Sequence, residues 1–359
     1  MKSIYIHIPF CKSICSYCDF CKIYYNEKIV DNYLDELEKE IKKNYKNEIM
    51  KTIYIGGGTP SSLNINQLNR LFSITKLIKL DKEYEFTFEF NPEDLILEKI
   101  ELMKQNNVNR VSIGVQSFNK KHLSFLNRNH TKKDLKQGIK LLKREGINNI
   151  NVDLIYGIKN QTIKDLKKDI KEVLKLNITH ISTYSLILEP NTMLYINNVK
   201  GIDEDLEYEM YQYILKKLKK NNYIHYEVSN FSKKGYESKH NLAYWDNNEY
   251  YGFGLGAHGY INNIRYENTR SINKYLEGKY LLNKYRLTKK EAIENEIILG
   301  LRKRKGINRK EFKNKFNKDI ETVFDTSLLE EKDNNLFIKE KDIYIMNEIL
   351  ENIFDKNNN

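Results

Sequence analysis

Cys11, Cys15, Cys18 and Cys21 are the only thiols of a 359-residue chain, and they fall within eleven residues. The run reads Cys11-Lys-Ser-Ile-Cys15-Ser-Tyr17-Cys18-Asp-Phe-Cys21. Thiolates at these spacings wrap one soft-metal centre and suit an iron–sulfur cluster or zinc. They lie too close in sequence to serve as a disulfide framework. Two arrangements follow. If Cys11, Cys15 and Cys18 hold a cubane 4Fe–4S cluster, one iron keeps no protein ligand. That iron can bind a small molecule and pass it an electron. If Cys21 joins them, the site is closed and structural. Zinc ribbons separate two Cys-x2-Cys knuckles by a long insert; this sequence has no second knuckle, which favours the open iron.

Further polar residues punctuate the first half. Gly56-Gly57-Gly58-Thr59-Pro60-Ser61 offers backbone N–H groups that a ligand can approach closely. Glu89 ends one apolar run, Gln116 another and Asp153 a third. Gln116 can donate and accept at once, and Arg128 presents a fork that matches a carboxylate. In the second half, His240-Asn241-Leu-Ala-Tyr244-Trp245 joins an imidazole to aromatic residues, and His258 closes a glycine-rich run, Gly252–Gly259. His7, His122, His130, His180 and His225 read as packing residues.

The elements that must position these groups alternate. Strands are predicted at Ser3–Ile8, Thr52–Ile55, Tyr84–Phe90, Arg110–Val115, Asn149–Leu154 and His180–Leu186. Helices are predicted near Asp31–Tyr45, Ile65–Ile78, Leu95–Asn106, Thr131–Glu145 and Gln161–Leu176. Alternating β and α elements give a parallel sheet with helices outside. Sites in parallel barrels lie at the C-terminal strand ends, where Glu89, Gln116 and Asp153 fall. A helix at Asp203–Asn221 and a strand-like run at Tyr226–Asn230 follow. Thr288-Lys-Lys-Glu291 is a capping box for a helix reaching Arg302. A helix at Arg309–Phe316 and short β-like runs at Asn335–Ile338 and Ile343–Ile345 complete the chain, and the tail Asp355–Asn359 is expected to fray.

A hydrophobic content of 40% is that of a globular protein, and the length allows a large core and a second small domain. No stretch approaches the roughly 20 apolar residues that span a bilayer. The net charge of +11 comes mostly from lysines scattered over polar helix faces rather than from an arginine block, so it selects no specific nucleic acid. Association with a membrane surface and homodimer formation are left open. The first strand runs straight into the cysteines, so no cleavable signal peptide is expected. Clustered free thiols imply a reducing compartment, the cytoplasm.

Cys-x3-Cys-x2-Cys with an aromatic residue before the third cysteine resembles the signature of the radical S-adenosylmethionine (SAM) superfamily. That resemblance implies a 4Fe–4S cluster on Cys11, Cys15 and Cys18. Its open iron would chelate SAM and cleave it to a 5′-deoxyadenosyl radical. The fold implied is α/β: a partial (β/α)6 barrel over residues 1–186, an α+β extension over 187–285 and a winged-helix-like domain over 286–359. Together the runs resemble the HemN/HemW group, which contains an anaerobic coproporphyrinogen III oxidase and a heme chaperone. Carried over by position, this implies SAM contacts from Tyr5, Gly57, Gly58, Thr59, Glu89, Gln116, Arg128 and Asp153. HemN has a segment before its cluster motif, whereas ten residues precede Cys11 here, and its fourth cysteine follows the third by two residues rather than three. Tyr17-Cys18-Asp19-Phe20, Tyr226-Glu-Val-Ser-Asn-Phe231 and His240-Asn-Leu-Ala-Tyr-Trp245 look like HemW. The resemblance therefore implies heme as a further cofactor, with His240 as its ligand and His258 and Cys21 as other candidates. It also implies client hemoproteins as partners and an electron donor such as flavodoxin or ferredoxin. The rival readings are a coproporphyrinogen III oxidase and a radical SAM enzyme acting on another substrate, RNA among them.

Overall fold

The six predicted strands all form, and they lie side by side in parallel: β1 (Ser3–Ile8), β2 (Ile49–Gly57), β3 (Lys79–Phe90), β4 (Arg110–Gln116), β5 (Asn149–Tyr156) and β6 (His180–Ser185). The computed structural model describes residues 2–355; most of the tail expected to fray lies outside them. Parallel strands covered on both faces usually read as continuous apolar runs. These alternate instead. Ile4, Ile6 and Ile8, Phe86, Phe88 and Phe90, and Val111, Ile113 and Val115 are buried in the main core. The residues between them are polar: Tyr5 and His7, Thr87 and Glu89, Arg110 and Ser112, Asn151 and Asp153. Side chains alternate faces along a strand, so one face of the sheet is oil against the helices and the other is a polar lining.

Helices complete each unit. The first spans Glu27–Asn44 and starts earlier than predicted, because Asn26 caps it by accepting from the Ile29 N–H. Thr131, Thr162 and Thr288 cap three others with full capping boxes, the last as predicted. A short helix at Lys120–Phe125, absent from the sequence reading, follows β4. It carries the chain to Arg128.

The sheet continues past both ends of the parallel set. The run predicted as one strand at Tyr226–Asn230 is two: β7 (Ile224–Glu227) and β8 (Asn230–Ser232) form an antiparallel hairpin, and β8 pairs with β6. At the other end β9 (Tyr250–Phe253) pairs parallel with β1. Then β10 (His258–Ile261), β11 (Ile264–Asn268) and β12 (Leu281–Arg286) follow antiparallel. The result is one twelve-stranded sheet, in the order β12-β11-β10-β9-β1-β2-β3-β4-β5-β6-β8-β7. The glycine-rich run is the β9–β10 connection. A buried carboxylate clamps it: Glu40 accepts from Gly254 N–H at 2.9 Å, Asn268 Nδ2 at 2.6 Å and Tyr275 OH at 2.6 Å. Burial pushes Glu40 up to about 6.

The C-terminal part holds helices at Lys289–Gly300 and Arg309–Phe316 and a three-stranded sheet of Ile307–Asn308, Asn335–Phe337 and Glu330–Lys332. The predicted β-like run Ile343–Ile345 lies instead in a 3-10 helix, Glu340–Ile345, that leads into the helix Met346–Asp355. Three residues were too short a window for a period. Ile343, Met346, Ile349, Leu350 and Ile353 are all buried, and that spacing is helical.

Candidate functional site

The cysteine loop is held over the C-terminal ends of the parallel strands by main-chain bonds at both ends and by staples in its middle. Ile23 N–H donates to Pro9 O at 2.8 Å and Tyr25 N–H to Cys11 O at 2.9 Å. Ser16 N–H and Oγ donate to the carbonyls of Leu126 and Phe125, and Asn127 Nδ2 donates to Ile14 O at 2.7 Å. Tyr17 packs against Leu126, Ile155 and Ile158. The aromatic residue before Cys18 is thus the apolar foot of the loop.

The four thiols have different surroundings. Cys11 is buried, and Thr59 Oγ1 donates to its sulfur at 3.5 Å. Arg128 donates to Cys15 Sγ at 3.5 Å and to the Gly114 carbonyl. Cys18 lines a cavity of about 340 Å³ in the mouth of the polar lining. Cys21 lines a second cavity of about 450 Å³ on the β1–β9 side. Burial pushes the Cys18 thiol up to about 11 and raises those of Cys11 and Cys21; a metal must displace those protons to bind. Among the described residues no three ligating side chains converge on a single metal ion.

Gly58 leaves room for that loop. A Cβ there would lie 2.7 Å from the Pro9 carbonyl and 2.9 Å from Cys11 Sγ. Gly57 sits at φ +119°, where side chains are strained, and a Cβ there would meet the His7 ring at 2.7 Å. Gly57 N–H donates to Glu89 Oε2 at 3.1 Å, and Tyr54 OH donates to Oε1 at 2.6 Å. Burial nevertheless pushes the Glu89 carboxyl up to about 7. Asp153, raised by burial, accepts from Asn151 at 2.7 Å and from Ser112 at 3.4 Å. Gln116 closes β4 at φ 66°, a conformation unusual for glutamine, beside a register shift in the β4–β5 pairing. Strain of this kind costs on the order of 1–3 kcal/mol and concentrates at binding sites.

The larger share of the sequence-derived residues converges. Glu89, Gln116 and Asp153 line the first cavity with Tyr17 and Cys18. Tyr5, Gly57 and Glu89 line the second with Cys21, His240, Tyr244, Tyr250, His258 and Arg270. The two share Asp19, Phe20, Tyr54, Glu89 and Asn241 as a common wall. Arg128 is turned onto Cys15 and lines neither cavity. His240 is buried, and both ring nitrogens are engaged, Nδ1 with Thr52 Oγ1 at 2.7 Å and Nε2 with Tyr244 OH at 2.9 Å. Burial holds it down to about 3, so the ring is neutral. His258 is exposed beside Glu267, 3.8 Å away.

Three contributors escaped the sequence reading. His7 bridges Tyr5 OH at 2.9 Å and the Cys21 carbonyl at 2.7 Å. Burial lowers it to about 4. Tyr54 holds Glu89, and Arg110 lines the floor of the first cavity. The period-two alternation of β1, β2 and β4 was the signal that places all three on the polar face.

The chain resembles known proteins over nearly its whole length. Residues 5–173 match the model described as the radical SAM superfamily, and residues 287–344 that of the HemN C-terminal domain. The chain is 41% identical over 367 residues to the heme chaperone HemW of Lactococcus lactis, covering 99% of this chain and 97% of the relative. It is 40% identical over 343 residues to that of Bacillus subtilis (91% and 90% covered) and 33% over 287 residues to that of Escherichia coli (77% and 76%). The fold superposes on the radical SAM coproporphyrinogen III oxidase HemN of Escherichia coli with a TM-score of 0.86, at 21% identity, covering 98% of this chain and 89% of that one.

Proposed function

Because the chain belongs to the HemW family of radical SAM proteins, we propose that it is a heme chaperone whose first cavity takes SAM and whose second takes heme for delivery to client hemoproteins. The observation that carries this reading is the pair of cavities sharing one wall, Tyr54 and Glu89, with Cys18 facing one and Cys21 the other.

In the first cavity Cys11, Cys15 and Cys18 would hold the 4Fe–4S cluster, which supplies one electron to bound SAM when reduced by a flavodoxin or ferredoxin. The protein's own part is binding. Gly57, on the second-cavity side of the shared wall, and Gly58 and Thr59, beside Cys11, present backbone to the amino acid end of SAM. Glu89 and Asp153 accept hydrogen bonds from its amine or ribose, Gln116 does both, Arg128 reaches its carboxylate once it leaves Cys15 Sγ, and Tyr5 approaches it from the second-cavity side of the shared wall. A carboxylate at about 7 gives this binding a pH dependence. Ionised Glu89 attracts the cationic end of SAM; protonated Glu89 keeps a carbonyl acceptor but loses that charge. His7, held at about 4, stays neutral over the same range. SAM affinity is expected to fall roughly tenfold between pH 8 and pH 6. Glu89→Gln should bind weakly and without that slope, as isothermal titration will read.

In the second cavity Tyr5, Tyr54, Tyr244, Tyr250 and Phe20 offer apolar ring surface suited to a porphyrin. A neutral imidazole is the natural axial ligand. His240 takes that role once Tyr244 OH releases Nε2. The test is an anaerobic heme titration of the cluster-loaded protein followed by optical spectroscopy. Stoichiometric binding, weakened at least tenfold in His240→Ala, is expected. The same protein incubated with SAM, reductant and coproporphyrinogen III should release no carbon dioxide. Decarboxylation without heme binding would replace the chaperone reading with that of an oxidase.

A further inference from the structure

Arg110 is the anomaly of the polar lining. Its side chain is 1% exposed, among the largest fully buried in the protein. Nε has no hydrogen-bond partner, and Nη1 makes one long bond, 3.4 Å to Thr87 Oγ1. Among the described residues no carboxylate comes within ion-pair distance of it. Glu89 and Asp153 share its cavity but are engaged with Tyr54, Gly57, Asn151 and Ser112. A buried cation is normally paired, because a bare one forfeits its hydration without return. Here the guanidinium lines the first cavity, two positions along β4 from Ser112; Glu89 and Asp153 feel its charge at longer range, but neither bonds to it.

We propose that Arg110 is a carboxylate-binding subsite at the floor of that cavity. A planar monoanion matches the guanidinium fork in two parallel hydrogen bonds. A phosphate dianion would set more charge against Glu89 and Asp153. The inference rests on the reading of this cavity as a ligand site. The ligand named above that carries this chemistry is a porphyrin, through a propionate reaching across the shared wall; the amino acid end of SAM is assigned to Gly57, Gly58, Thr59 and Arg128 beside the cluster, so the SAM pair is the control.

The experiment uses cluster-loaded wild-type, Arg110→Gln and Arg110→Lys proteins and two matched pairs of probes. One pair is SAM and its decarboxylated form; the other is protoporphyrin IX and its dimethyl ester, which need no iron ligand. Arg110→Gln should weaken protoporphyrin IX at least tenfold and leave its dimethyl ester, SAM and decarboxylated SAM within twofold. Arg110→Lys, which keeps the charge and loses the fork, should fall between. A loss confined to SAM would overturn the proposal. Equal losses within both pairs, no loss in either, or collapse of cluster absorbance in both variants would overturn the proposal. Wild-type protein that binds no SAM yet prefers protoporphyrin IX over its ester in an Arg110-dependent way would sink the SAM reading and leave the subsite standing.

Discussion

Replacing Cys15 with serine should abolish the 4Fe–4S absorbance and SAM cleavage, while Cys21→Ser should leave both near the wild-type level. The difference follows from where each thiol points. Arg128 donates to the Cys15 sulfur, inside the stapled half of the loop. Cys21 lies beyond it, against Gly256, where a Cβ would come within 2.6 Å of the Cys21 Cβ. Its sulfur faces the second cavity with Arg270. A three-thiolate set leaves one iron for SAM; a four-thiolate set does not. Equal loss in both variants would mean that Cys21 is a ligand and that the iron is closed. Iron and sulfide content, read beside the visible spectrum, separates the outcomes.

The second large effect is expected at Gly58. Alanine there forces a methyl group to within 2.7 Å of the Pro9 carbonyl and 2.9 Å of Cys11 Sγ. Neither neighbour can yield easily. Pro9 accepts the Ile23 N–H that closes the loop, and Ile8 accepts the N–H of Gly58 itself. Overpacking of this kind costs typically about 1–3 kcal/mol, and here it acts on the first cluster ligand. Gly58→Ala should lose most of its reconstituted cluster and melt several degrees lower. Gly201→Ala, where an added Cβ meets nothing within 4 Å, should do neither. Thermal unfolding and iron content measured on the same samples check both.

Much of this site was legible because its signals are local. The cysteine spacing, the glycine run after β2 and the strand-end positions of Glu89 and Asp153 are each set within a few residues. The short β-rich run before the cysteines gave β1 with its bounds as predicted, and Thr288 with Glu291 announced its helix. What escaped depends on partners far along the chain. Nothing near Glu40 signals that it will hold Gly254, 214 residues on. Nothing near β1 signals that Tyr250–Phe253 will lie beside it. His7 read as a packing residue because its partners, Tyr5 and the Cys21 carbonyl, meet only when the loop folds back over the strand. His240 read in sequence as a candidate heme ligand; the fold brings Thr52 to one nitrogen and Tyr244 to the other. Spacing reports which residues share a face; it does not report what already occupies their hydrogen bonds.

The central claim is an open iron that SAM can reach, and electron paramagnetic resonance of the reduced cluster tests it most directly. SAM added to the wild-type and Cys21→Ser proteins should change the cluster signal in both, because the ligand joins the iron that no thiolate holds. A signal that stays the same in both proteins at saturating SAM would contradict the account.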